Sequence, residues 1–210
     1  MTPSPPGQAP ARDPVTGPRG TPDAIAIGAS AGGIEALTVL LPALASHTTA
    51  AILVVLHLPR GRPSLLVDIF QSKCRLPVRE ASDKEPIEPG VVYFAPPDYH
   101  LLVDVGPRLA LSVDAPVHYS RPSIDVLFES AAHVYGQRLM GIVLSGGNQD
   151  GAAGLCAIGD AGGTTVVQDP ASAQVPLMPQ FALSRRAPDH VLPVAAIAAL
   201  LGSLWKEIVP

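Results

Sequence analysis

The sequence predicts an α/β fold: a doubly wound, mainly parallel sheet with helices on both faces and an antiparallel hairpin addition. Three observations carry this. Nearly uninterrupted apolar runs recur at 24–27, 50–56 and 139–144, as strands covered on both faces require. Each run leads into a turn rich in glycine or polar residues, and two of those turns open into segments with helical spacing. The 210 residues, 47% of them hydrophobic, suit one globular unit.

The first 22 residues hold seven prolines among Gly, Ser, Thr and Ala. Such a composition buries little apolar surface, so a disordered or extended tail is expected there, leaving 23–210 as the folded domain. Next, strand 24–27 runs into Gly28-Ala29-Ser30-Ala31-Gly32-Gly33 and then into a helix over 34–44. Glu35 lies in that helix's first turn, and Ile34, Leu37, Leu41 and Leu44 share one face. A serine on a sharp strand-to-helix turn is held up at the sheet's end, within reach of backbone N–H groups that can receive developing negative charge. The segment fits G-x-S-x-G. It is also one substitution from a degenerate G-x-G-x-x-G, so a phosphate or nucleotide site is the competing reading.

Strand 50–56 ends in His57, and strand 139–144 runs into Ser145-Gly146-Gly147-Asn148-Gln149-Asp150. In an open parallel sheet the C-terminal strand ends form one rim, which collects Ser30, His57 and Asp150. A hydroxyl needs an imidazole to take its proton, and the imidazole needs a carboxylate to fix its tautomer. Each residue also has a plainer role available: Asp150 as N-cap of the following helix, His57 as a strand cap. Asp169, which follows a strand around 163–168, is the rival third member. The order Ser, His, Asp differs from the order Ser, Asp or Glu, His of α/β-hydrolases.

The middle of the chain reads as short strands over 90–103 and 108–112 forming an antiparallel hairpin, with Tyr99 and His100 as exposed or packing residues. A helix is expected over 120–136, with Ser120 or Arg121 near its cap and Pro122 in its first turn. The loop 169–180 sits on the rim with Met178 and Pro179 lining the site, and a last helix over 194–206 carries Trp205 as packing.

GASAGGIEAL with Ser30, HLPRG with His57, RPSIDVLFESAA from Arg121, NQDGAAGL with Asp150 and QDPASAQVPLMP from Gln168 together resemble the catalytic domain of the bacterial chemotaxis protein-glutamate methylesterases, over about residues 23–205. The resemblance implies a serine hydrolase that removes methyl esters from receptor glutamates, releasing methanol, and that also deamidates glutamine. It makes Ser30 the nucleophile, His57 the base and Asp150 the orienting acid. Backbone N–H groups at Gly147 and Ala31 would hold the oxyanion, and Arg121 and Met178 would shape the substrate groove. Many members have T-G-M-G-x-D-G where this chain reads S-G-G-N-Q-D-G; the backbone donor survives, but glycine loosens the loop. The altered loop raises a catalytically impaired binding or regulatory module as the alternative.

The implied partner is a methylated chemoreceptor or another methylated signalling protein. A net charge of −4 with 14 Lys and Arg gives no case for nucleic acid. No apolar stretch reaches the roughly 18 residues of a membrane span and the start is not signal-like, so a cytoplasmic protein is expected. Cys74 and Cys156 make no disulfide framework, no cluster has metal-ligand spacing, and no cofactor is expected. The family's full-length members carry a receiver domain ahead of the catalytic one; the starting methionine and the proline-rich lead favour a stand-alone member.

Overall fold

The computed structural model describes residues 20–58 and 64–205. Most of the expected tail, and the Pro-Arg-Gly that follows Leu58, lie outside those residues. Six strands build around β1 (Ala24–Ala29), and all are parallel. On one side of β1 lie β2 (Ala51–Leu56), β4 (Val92–Phe94) and β3 (Val78–Glu80). On the other lie β7 (Leu139–Val143), β8 (Thr164–Gln168) and β9 (His190–Leu192). A separate antiparallel hairpin joins β5 (His100–Asp104) to β6 (Arg108–Ser112).

The alternation of side chains along the strands divides the core. Ile25, Ile27, Ile52 and Val54 face α1 (Gly33–Leu40), α2 (Leu66–Gln71) and α6 (Val194–Ser203). Ala24, Ala26, Leu53 and Val55 face the hairpin, α3 (Ile124–Tyr135), α4 (Ala152–Asp160) and α5 (Leu177–Arg185). Both faces are thus covered, and the central strands are buried along their whole length. Trp205 packs against the first of these layers and donates from Nε1 to Thr49 Oγ1.

Several local expectations are corrected. Of the short strands read over 90–112, Val92–Phe94 belongs to the main sheet, parallel to β2 and β3, and only 100–112 forms the antiparallel hairpin. The first helix stops at Leu40 and continues as a 3-10 turn over Leu41–Ala43, where Pro42 lacks an N–H. Ile34 is partly exposed, and Ala36 and Leu40 join Leu37 on the buried face. Pro122 lies before its helix, which starts at Ile124; Ser123 is the cap, its Oγ accepting the Val126 N–H. The stretch read as a loop over 169–180 contains the start of α5.

Candidate active site

Strand order reverses at β1, since the chain moves to β2 on one side and later to β7 on the other. The crevice at such a switch point is where open α/β sheets place ligands. Ser30 follows β1, His57 follows β2 and Asp150 lies in the loop after β7. Ala29 pairs in register with Leu56, so Ser30 and His57 leave neighbouring strands side by side, about 4.8 Å apart as adjacent strands are. The His57 N–H still donates to Ala29 O at 3.0 Å, which fixes where the imidazole departs.

The Ser30 turn is tight for a physical reason. Gly32 has φ 79°, and a Cβ there would fall 2.6 Å from Gln174 Oε1 and 2.8 Å from Ser145 Oγ. Ser145 clamps the turn from the other side. Its carbonyl accepts the Ser30 N–H at 2.9 Å, and its Oγ donates to Ala31 O at 2.7 Å and accepts the Val175 N–H at 2.9 Å. The Ser145 N–H in turn donates to Gln168 Oε1. Sequence reasoning missed Ser145 and Gln168 as site residues. Their signal was available only as polar side chains at the ends of two buried strands.

His57 Nε2 lies 2.9 Å from Asp150 Oδ2. Asp150 is completely buried and fully engaged. Oδ2 also accepts the Ile124 N–H at 2.7 Å; Oδ1 accepts Ser123 Oγ at 2.8 Å, the Asp125 N–H at 3.0 Å and the Gly151 N–H at 3.1 Å. Asp150 is therefore not the N-cap of the helix that follows it, a place taken by Gly151. It sits instead at the N-terminus of α3, where unpaired N–H groups and the helix dipole favour a carboxylate. Burial alone pushes its pKa up, but the hydrogen bond from His57 and the Asp125 and Ile124 amides outweigh this and hold the carboxyl below its usual range.

His100 proves to be buried and hydrogen-bonded: its Nδ1 accepts the Ser123 N–H at 3.1 Å and Nε2 lies 3.2 Å from Ala115 O. Tyr99 is exposed. Asp125 forms a second buried carboxylate beside Asp150, taking the Gly154 N–H and facing His118 Nε2 at 3.4 Å. Burial raises its pKa, as does the Asp150 charge, against the Gly154 N–H and His118. Asp169 is far from this arrangement in its bonding: its side chain caps the Ala171 N–H.

The Ser30 hydroxyl makes no hydrogen bond with a described residue, and His57 keeps Nδ1 without a partner there; catalytic contacts of this kind often close only around a substrate. Among the described residues, the Ala31 and Gly147 N–H groups donate to no protein acceptor. Met178 is fully buried, its N–H bonded to Gly146 O, and Gly146 is pinched between it and Ser30. A Cβ on Gly146 would lie 2.3 Å from Met178 Cε and 2.9 Å from Ser30 Cβ. Arg121 donates from Nη1 to Val113 O and Asp114 O, with Nε buried and unpartnered. No helix among the described residues is long and apolar enough to cross a membrane.

Residues 25–201 match the CheB methylesterase family. A Leptospira interrogans protein, provisionally named a protein-glutamate methylesterase/protein-glutamine glutaminase, is 43% identical over 85% of this chain and 92% of its own length. Proteins named protein-glutamate methylesterase/protein-glutamine glutaminase from Symbiobacterium thermophilum and Caulobacter vibrioides are 40% and 36% identical, over 83% and 98% of this chain. The match spans 48% and 61% of those two longer proteins. The crystal structure of the Thermotoga maritima CheB methylesterase catalytic domain superposes with a TM-score of 0.83 at 32% identity, over 88% of this chain and 99% of that one. This chain belongs to the CheB methylesterase family.

Proposed function

We propose that this chain is a serine hydrolase that removes methyl esters from glutamate side chains of methylated chemoreceptors or other methylated signalling proteins in the cytoplasm. It deamidates receptor glutamines at the same site. The observation that carries the reading is the hydrogen bond between His57 and the buried Asp150 at the sheet's switch point, one strand from Ser30.

The carboxylate fixes the proton on His57 Nε2 and leaves Nδ1 basic. Nδ1 takes the Ser30 proton as Oγ attacks the ester carbonyl carbon, and the carbonyl oxygen becomes an oxyanion facing the Ala31 and Gly147 N–H groups. When the tetrahedral intermediate collapses, the imidazolium hands that proton to the departing methoxy oxygen, and methanol leaves. A water then gives its proton to Nδ1 and attacks the acyl-serine, returning Ser30 and a free glutamate. With a primary amide the leaving group is ammonia and the proton path is unchanged. Arg121 shapes the groove by tying down the segment before α3, and Met178 forms its floor through Gly146.

A fluorophosphonate probe tests this reading against a binding module or a nucleotide-binding protein of the same fold. Covalent labelling at Ser30, lost in Ser30→Ala and His57→Gln, is the expected result. An unlabelled wild-type protein would overturn it.

A further inference from the structure

We propose that Asn148 and Gln149 are positioning residues: they brace the loop that presents the Gly147 N–H, so that a glycine at this place holds an oxyanion donor still. The inference rests on the esterase reading of the site. The loop between β7 and α4 is anchored at its near end by the Ser145 bonds and by Gly146, which donates to Val175 O at 3.0 Å and accepts from Met178 N. It is anchored at its far end by Asp150. Gly147, between them, is exposed, has the freest backbone of any residue type, and donates its N–H to no described residue. An oxyanion donor must stay within a fraction of an ångström of its place, so that freedom has to be removed by the neighbours.

The next two residues, Asn148 and Gln149, do so with side chains. Asn148 Oδ1 accepts the Asp150 N–H at 3.1 Å, closing an Asx turn over the peptide between them, and Nδ2 reaches Ser120 Oγ at 3.4 Å. Gln149 Nε2 lies 3.0 Å from His118 Nδ1, and His118 meets Asp125 at the start of α3. The partner segment is itself stiff. Val117 and Ser120 exchange two backbone hydrogen bonds, at 3.1 and 2.8 Å, around His118 and Tyr119, both held at positive φ. Arg121 fastens the same segment to Val113 and Asp114. The loop is thus tied across the crevice to the segment leading into α3, the helix that also holds Asp150.

Such a brace acts when charge develops on the oxygen, so it should show in turnover rather than in substrate binding. Asn148→Ala and Gln149→Met are each expected to lower kcat about tenfold with KM within about twofold. Affinity for a glutamate-derived trifluoromethyl ketone, whose adduct carries the oxyanion, should fall in parallel. Asn148→Ser, which keeps an acceptor for the Asp150 N–H, should recover part of the loss. Adding His118→Asn to Gln149→Met should cost little more than Gln149→Met alone. Amide exchange at Asp150 in Asn148→Ala should be faster than in wild type, a readout that needs no activity. Unchanged exchange would overturn the brace, and faster exchange with unchanged kcat, or a rise in KM alone, would overturn the positioning role. A wild-type protein that neither releases methanol nor labels at Ser30 would instead overturn the esterase reading beneath it.

Discussion

His57 meets Asp150 through Nε2, 2.9 Å from Oδ2, so the ring nitrogen left for a hydroxyl is Nδ1. In the familiar serine-protease arrangement the carboxylate holds Nδ1 and the serine faces Nε2. Either nitrogen can serve as base, provided that the carboxylate fixes the proton on the other.

Asp150→Asn should therefore be damaging in two separable ways. An amide nitrogen at Oδ2 donates to Nε2, puts the ring proton on Nδ1 and leaves Ser30 without a base, so kcat should drop about a thousandfold or more with KM little changed. The same nitrogen would confront the Ile124 N–H across 2.7 Å, so stability should fall by about 1–3 kcal/mol. Asp169→Asn, whose residue only caps Ala171, should lose at most about tenfold in rate. Steady-state kinetics and urea melts of both variants check this.

The pH dependence follows from the same carboxylate. Folding favours its ionised form, so the stability it contributes is complete above the ordinary aspartate range, near pH 4, and is lost as pH falls through its lower folded value. The stability gap between wild type and Asp150→Asn should narrow on acidification below about pH 4. Asp125 runs the other way, because burial and the Asp150 charge disfavour its ionised form. Urea midpoints from pH 2.5 to 7 read the narrowing; a constant gap contradicts it.

Ser123 links the acid to α3 by donating to Asp150 Oδ1 at 2.8 Å while capping the helix. Ser123→Ala should cost about 1 kcal/mol as a lost cap and lower kcat about tenfold through a less firmly held carboxylate. Ser123→Thr, which keeps the hydroxyl, should retain more of the rate. Thermal melts and kcat measured on the pair give the comparison.

Two adjacent glycines should respond in opposite ways. Gly146→Ala drives a Cβ to 2.3 Å from Met178 Cε and 2.9 Å from Ser30 Cβ, displacing the surroundings of Ser30 at a cost of about 1–3 kcal/mol. At Gly147 the new Cβ would meet only Val175 Cγ1, at 3.8 Å, and its φ is ordinary. Gly147→Ala should keep its activity and gain about 0.4–1 kcal/mol. Parallel melting curves and esterase assays decide both.

The sequence was legible where burial is uniform. Strands β1, β2, β7 and β8 are two-sided, and their apolar runs and closing turns announced the rim that carries Ser30, His57 and the Asp150 loop. It was less legible where tertiary partners choose. Val92–Phe94 and His100–Asp104 both read as short strands, yet one pairs in parallel within the main sheet and the other forms the hairpin. Helix α5 has Pro176 at its cap and Pro179 in its first turn, which reads as loop chemistry. Besides His57 and the Gly151 N–H, the donors to Asp150 come from the start of α3, Ser123, Ile124 and Asp125, well before it in the chain. No local pattern around Asp150 could reveal that it serves the helix before its own.

The most direct test of the account is methanol release from a methylated receptor signalling helix by the wild-type protein and Ser30→Ala, assayed side by side at equal concentration with matching circular dichroism. The account predicts sustained release by wild type and a loss of three or more orders of magnitude in the variant, as removal of a triad nucleophile brings. Release by Ser30→Ala within about tenfold of wild type, on the same rate scale, would contradict it.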